Sequence, residues 1–178
     1  MEGQLISRFA EEARACGTGV VRASECEIDD VVANLLENDR SVVVASSLGG
    51  LAQELRARGF DVMTDETAGM PADLLSRAEA GVVEAIAGIA ASGSTLLSSG
   101  EGRDDLMSLL PSHCVLLLDA AAIEADLEAA LTVVAPLIAR PGARLAIVTG
   151  PSRTSDIELT PVIGVHGPLR LDVVLIDG

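Results

Sequence analysis

The 178-residue sequence contains no lysine and only three cysteines. The lack of lysine excludes a Schiff-base lysine and a P-loop lysine. Cys16, Cys26 and Cys114 are odd in number and form no Cys-x-x-Cys pair, which is typical of reduced thiols in a cytoplasmic protein. They are also too few for a cysteine-ligated iron–sulfur cluster, which needs about four ligands. We therefore expect no disulfide and no iron–sulfur centre in this chain.

Positive charge is also scarce, because 12 arginines stand against 27 acidic residues and give a net charge of −15. A nucleic-acid-binding protein needs a basic face that releases counterions, so we expect no nucleic-acid partner. Residues 140–178 carry as many arginines as acids, so an anionic ligand is least repelled near this segment. No apolar run reaches the length of a membrane span, and the acidic, amphipathic first helix does not resemble a signal peptide. We expect a cytoplasmic protein.

Apolar runs alternate with amphipathic helical patterns along the chain. The patterns predict strands at 20–22, 42–46, 60–63, 115–119, 144–149 and 171–176, and helices at 4–15, 28–36, 51–58, 72–78 and 123–138. In residues 81–99 the apolar positions fit both the two-residue period of a strand and the 3.6-residue period of a helix. We interpret them as strands near 86–90 and 95–98 joined by a turn, with a helix over 83–91 as the alternative.

This alternation predicts an α/β fold in which a mostly parallel sheet is covered by helices on both faces. We expect residues 1–178 to form one domain. The most continuously apolar strands, at 42–45, 115–118 and 144–149, are expected at the centre of the sheet.

Ligands of open α/β sheets bind beyond the carboxyl ends of the parallel strands. Three loops adjoin predicted strands, and each contains glycine. The first contains Gly93, Ser94 and Thr95. Glycine allows a ligand to approach the backbone, and the hydroxyls can donate hydrogen bonds to an anion. The alternative is an ordinary hairpin turn.

The second loop turns at Gly150, and Ser152 or Thr154 can cap a short helix beginning near Asp156. Arg153 offers a planar guanidinium for bidentate contact with a carboxylate or phosphate. Asp156 and Glu158 lie two positions apart, too close to share one helix face, and they can neutralise Arg153.

The third loop contains Gly164, His166 and Gly167. His166 either contacts a ligand or pins the turn as a structural histidine, and the sequence favours neither. We predict that the three loops line one cleft that binds a small anion, with His166, Asp156 and Glu158 as the candidate catalytic residues.

The sequence lacks the motifs of serine hydrolases, dinucleotide-binding proteins and metal sites. The sequence contains no Gly-x-Ser-x-Gly elbow and no Gly-x-Gly-x-x-Gly after a strand, so neither a serine hydrolase nor a dinucleotide cofactor is indicated. His113 and Cys114 are adjacent and have no third ligand nearby, which argues against a metal site. We expect no cofactor and no metal.

The segment 149–177 resembles the C-terminal signature of the lactate-utilisation protein C family, also called the LUD domain. The family pattern Gly-Pro-Ser-x-Thr-x-Asp-Ile-Glu, followed by Gly-x-His-Gly-Pro, is matched at Gly150, Pro151, Ser152, Thr154, Asp156, Ile157, Glu158, Gly164, His166, Gly167 and Pro168. Upstream, Gly93 matches a second motif, in which Ala91 stands at the usual glutamate and Ser92 and Ser94 replace threonine.

The resemblance implies a fold similar to the ribose-5-phosphate isomerase and coenzyme A transferase group. It also implies a role in bacterial oxidation of L-lactate to pyruvate beside iron–sulfur partner proteins. Within that frame we expect an accessory or ligand-binding subunit without redox centres. A stand-alone enzyme on a phosphorylated, acyl-thioester or folate-like substrate and a scaffold without ligand are the alternatives.

Overall fold

A computed structural model describes residues 2–64, 75–99, 104–155, 161–163 and 167–178. The helices among them are α1 (Glu2–Ala15), α2 (Ile28–Leu35), α3 (Gly49–Ala57), α4 (Asp104–Leu109) and α5 (Leu127–Ile138). The strands are β1 (Gly19–Ser24), β2 (Ser41–Val44), β3 (Asp61–Thr64), β4 (Ala80–Ala85), β5 (Ala87–Ile89), β6 (Ser94–Ser99), β7 (His113–Asp119), β8 (Ile123–Glu124), β9 (Arg144–Val148), β10 (Arg153–Ser155), β11 (Pro161–Ile163) and β12 (Arg170–Asp177).

The main sheet has six strands in the order β1-β12-β7-β4-β2-β3, and every neighbouring pair is parallel. β7 lies inside this sheet between β12 and β4. Each residue from His113 to Leu118 is buried. The predicted α/β class and the central position of 115–118 are confirmed. β2 is also an interior strand, paired with β4 and β3.

Both faces of the main sheet are covered, which explains its continuous apolar strands. On one face, Leu116 belongs to a buried cluster with Phe9 of α1. On the other face, Val115 belongs to a cluster with Val32 of α2 and Leu55 of α3. Successive side chains of a strand point to opposite faces, so a strand between two layers needs apolar residues at every position.

A second sheet has the order β8-β5-β6-β9. β5 and β6 form an antiparallel hairpin, and β9 pairs antiparallel with β6. Ile89 and Leu96 of this sheet pack with Ala130 and Val134 of α5. The strand interpretation of 86–90 and 95–98 is therefore confirmed, and the alternative helix over 83–91 is wrong.

Two predictions are corrected by this second sheet. The strand at 144–149 is not central, because among the described strands β9 pairs with β6 alone and leaves Arg144 and Ile147 exposed. The predicted helix 123–138 begins only at Leu127, because Ile123–Glu124 pair with β5 as β8. Asp126 caps that helix by accepting a hydrogen bond from the backbone N–H of Ala129 at 2.9 Å,.

Residues 72–74 of the helix predicted at 72–78 fall outside the described residues; of the remainder, Leu75 is helical and residues 76–78 are not. Across the described ranges, no helix is both long enough and apolar enough to cross a membrane.

Candidate functional site

A cleft of about 560 Å³ lies beside the turn that follows β9. Four segments line it: the end of α1, the end of α4, the stretch from β9 through the following turn, and the segment before β12. The lining residues are Ala15, Cys16, Ser108, Leu109, Ile147, Val148, Thr149, Gly150, Pro151, Ser152, Gly167 and Pro168.

The turn after β9 depends on Gly150. Its φ is +72°, and a Cβ atom there would lie 2.6 Å from the carbonyl oxygen of Cys16. Glycine therefore meets two demands at this position, since it adopts the left-handed region and leaves room for the end of α1. The predicted turn at Gly150 thus packs directly against the cleft wall formed by Cys16.

The structure brings the turn at 150–152 and the segment 167–168 together. The backbone N–H of Ser152 donates a hydrogen bond to the carbonyl oxygen of Pro168 at 2.8 Å. A Cβ atom on Gly167 would lie 3.1 Å from the Cβ atom of Ser152. Gly150, Ser152 and Gly167, predicted from two different loops, therefore line the same cleft.

The residues directly after Ser152 form one strand of a short antiparallel pair. Arg153 and Thr154 belong to β10 and pair with Ile163 and Val162 of β11. Thr154 is thus in a strand where the sequence suggested a helix cap. The candidates Asp156, Glu158, Gly164 and His166 lie outside the described residues, so their positions and roles stay predictions.

The hairpin at 92–95 contacts a residue that lines the cleft. Gly93, Ser94 and Thr95 are buried, and the Ser94 hydroxyl lies 2.6 Å from the hydroxyl of Thr149, which lines the cleft. A Cβ atom on Gly93, whose φ is +63°, would overlap the backbone of Ala13. The hairpin therefore joins the second sheet to α1 and to the cleft wall, and its contact with a ligand stays a prediction.

The cleft lies at the amino edge of the main sheet. Residues 15–16 precede β1, residues 108–109 precede β7, and residues 167–168 precede β12. The cleft therefore lies at the edge opposite the carboxyl ends of the parallel strands, where ligands of open α/β sheets usually bind. β9 belongs to the second sheet, and the turn at its carboxyl end lies at the amino edge of the main sheet.

A buried charged cluster at this amino edge was missed by the sequence analysis. His113 is 3% exposed. Its Nδ1 atom lies 2.6 Å from a carboxylate oxygen of Asp39, and its Nε2 atom lies 2.8 Å from a carboxylate oxygen of Asp172. Arg170 contacts the same Asp172 oxygen at 2.7 Å. Because both ring nitrogens are engaged, neither is available to a metal ion or a ligand.

The cluster also explains two neighbouring residues. A Cβ atom on Gly19 would overlap the carboxylate of Asp172, so only glycine fits beneath it. Burial, with a smaller contribution from the Asp172 charge, raises the pKa of the Cys114 thiol. No local motif signals this cluster, because strand pairing brings residues 39, 113 and 172 together. In the residues that the structure describes, no group of His, Cys, Asp or Glu is suited to hold a metal.

The model of the LUD domain family matches residues 6–176, nearly the whole chain. The chain belongs to the LUD domain family. The predicted family resemblance is therefore confirmed. In this LUD domain, the match includes the described lining residues 15–16, 108–109, 147–152 and 167–168.

Named relatives of this LUD domain come from several bacteria. Lactate utilization protein C of Deinococcus radiodurans is 30% identical over 175 residues, covering 97% of this chain and 80% of the relative. The uncharacterized protein YkgG of Escherichia coli K12 is 34% identical over 149 residues, covering 78% of this chain and 64% of the relative.

A crystal structure of a DUF162 family protein from D. radiodurans superposes with a TM-score of 0.80 at 24% identity. The superposition covers 100% of this chain and 99% of that chain. This likeness shows that the two proteins share a fold.

Proposed function

We propose that this LUD domain protein is a subunit or accessory protein of a bacterial L-lactate oxidation system, in which it binds a small anion and carries no redox centre. The name of the D. radiodurans relative, lactate utilization protein C, supports the lactate role. The proposal includes iron–sulfur proteins as partners, a cytoplasmic location and residues 1–178 acting as one domain.

The cleft carries the proposal of anion binding. The turn Thr149–Ser152 lines the cleft, and Arg153 follows this turn directly in the sequence. Arg153 is the residue predicted to supply positive charge to the anion. The hydroxyl of Thr149, which also contacts the Ser94 hydroxyl, and the hydroxyl of Ser152 can donate hydrogen bonds to carboxylate or phosphate oxygens. Residues 140–178 have no net charge, which lowers the repulsion of an anion in a strongly acidic protein.

The cysteines support the absence of a redox centre. Cys16 follows α1 and lines the cleft, Cys26 is exposed, and Cys114 is buried in β7. Metal ligation requires the thiolate, and the raised pKa of Cys114 disfavours that form,. The proposal assigns electron transfer to the iron–sulfur partner proteins.

The physiological part of the proposal is tested by deleting the gene. We expect the deletion strain to lose growth on L-lactate and lactate oxidation in extracts, and the intact gene to restore both. Unchanged growth and unchanged oxidation would exclude the lactate role.

Anion binding is tested by calorimetry with Arg153→Ala and the exposed control Arg140→Ala. We expect Arg153→Ala to weaken binding of L-lactate or phosphate by about 2–4 kcal/mol if the contact is desolvated and bidentate. Arg140→Ala should leave the affinity unchanged. A lower melting temperature with unchanged affinity would assign Arg153 to a scaffold, and substrate turnover abolished by His166→Ala would favour the stand-alone enzyme.

A further inference from the structure

We infer that the cleft takes an anion that carries an apolar group, such as an alkyl carboxylate or an alkyl phosphate. This inference rests on the anion binding proposed above. It concerns a second part of the same site, an apolar rim beside the hydroxyl-bearing turn.

Two large apolar side chains line the cleft and remain exposed. Leu109, at the end of α4, is 42% exposed, and Ile147, in β9, is 49% exposed. Leu110 and Leu169, each next in sequence to a lining residue, are 37% and 52% exposed. The N–H of Leu169 donates a hydrogen bond to the carbonyl oxygen of Ser112 at 2.7 Å, which holds the start of β12 beside the segment that follows α4.

These four residues are half of the large exposed apolar residues in the described part of the chain. The others are Val21 in β1 and three residues of α5, Leu127, Val133 and Leu137. Single exposed apolar side chains are normal on a protein surface, but Leu109 and Ile147 line one concave site together, which is typical of a ligand-binding surface,. An apolar group of the ligand would therefore bury the exposed side chains of this rim.

The size of the cleft agrees with such a ligand. A volume of about 560 Å³ falls in the usual range of ligand pockets, roughly 300–1,000 Å³. A three-carbon acid would fill a small part of this space and would leave Leu109 and Ile147 in water. An anion with several methylene groups can place its charged head at the Thr149–Ser152 turn and its apolar part against the rim.

The test compares hexanoate with acetate, and n-hexyl phosphate with inorganic phosphate, by calorimetry on the full chain. A fully buried methylene strengthens binding about threefold to fourfold. Because the rim is only half-buried, we expect hexanoate or hexyl phosphate to bind at least about tenfold more tightly than its short counterpart. A gain in only one series identifies the head group as a carboxylate or as a phosphate.

Two pairs of variants locate the apolar contact. Leu109→Gln is matched by Leu137→Gln, since Leu137 is a similarly exposed residue near the end of α5. Ile147→Thr is matched by Val133→Thr. We expect each rim variant to lose about fivefold or more of the affinity for the six-carbon ligand while its affinity for the short anion changes less than twofold. The α5 variants should bind both ligands normally, and melting temperatures verify that all four fold.

Three results would overturn the inference. Equal affinity for short and six-carbon anions would leave the proposed small-anion site intact and remove its apolar part. An equal loss in Leu109→Gln and Leu137→Gln would show nonspecific apolar binding. No binding of any of the four anions would overturn the proposed anion binding itself.

Discussion

The two sheets contain strands of comparable apolar content that are buried to different extents. In β2 of the main sheet, Val42, Val43 and Val44 are fully buried. In β9 of the second sheet, Ile147 is 49% exposed and no residue is buried. β2 has a paired neighbour on each side, whereas β9 is the last strand of its sheet in the part of the chain that the structure describes. Apolar content therefore indicates the burial of a strand only when its neighbours in the sheet are known.

The two sheets also use different polar contacts. At the amino edge of the main sheet, the His113 ring lies between the carboxylates of Asp39 and Asp172. In the second sheet, the hydroxyl of Ser94 contacts the hydroxyl of Thr149. A buried charged group left without its partner costs far more than a lost neutral hydrogen bond. We therefore expect the main sheet to respond more strongly to substitution.

The largest expected effect comes from His113→Leu. The variant leaves the buried carboxylate of Asp172 and the partly buried carboxylate of Asp39 without the imidazole between them. Leaving a buried charged group without one of its partners costs about 3–5 kcal/mol of unfolding free energy. Urea unfolding at neutral pH measures the change.

Ser112→Ala is the control for His113→Leu. Ser112 is adjacent but exposed, and its hydroxyl makes one hydrogen bond, to the carbonyl oxygen of Glu79. Its loss should cost about 1 kcal/mol or less. Equal effects of the two substitutions would contradict the special role of the histidine.

Leu116→Ala and Ile147→Ala compare the packing of the two sheets directly. Leu116 in β7 is fully buried, so its truncation should cost about 2–5 kcal/mol through lost burial and a cavity. Ile147→Ala should cost about 1 kcal/mol or less, because half of that side chain is already in water. A comparable loss of unfolding free energy in both variants would show that β9 is buried against something else.

Gly93→Ala and Gly142→Ala separate steric overlap from backbone strain. Both glycines have positive φ, but a Cβ atom on Gly142 meets nothing within 4 Å, whereas one on Gly93 overlaps Ala13. Gly142→Ala should cost about 1 kcal/mol from strain alone. Gly93→Ala should cost about 1–3 kcal/mol more, since the hairpin and α1 must move apart. Thermal unfolding measures both, and equal costs would mean that the hairpin does not pack closely on α1.

The smallest effect concerns the acid dependence of the main sheet. The exposed carboxylate of Glu79 accepts hydrogen bonds from the backbone N–H groups of Arg40 and Ser41, which lowers its pKa below the ordinary value of 4.5. Because the folded protein has the lower pKa, this contribution to stability is present above that value and is lost as the pH falls through the lowered pKa. Glu79→Gln should flatten the loss of stability between neutral and acid pH. An unchanged pH profile would exclude the contribution.

Several local elements could be predicted because neighbouring residues decide them. The helix predicted at 28–36 is α2, and just before it the Glu27 carboxylate accepts a hydrogen bond from the N–H of Ser24 at 3.0 Å. The run Val115–Leu118 predicts a strand buried on both faces, and this is where β7 lies. The turn residues Gly150, Ser152 and Gly167 also come together in one cleft, although their contact with a ligand stays a prediction.

The sequence by itself determined the α/β class, the family and most strands and helices, because periodicity and turn chemistry act over a few residues. Only the tertiary structure decided which strands share a sheet. In the tertiary structure, β9 lies at the edge of a second sheet, residues 123–124 form a strand, and the cleft lies at the amino edge of the main sheet. It also assembled Asp39, His113 and Asp172 from three distant segments. Strand pairing joins residues far apart in the chain, and the free energy of such pairing depends on burial that no local pattern records.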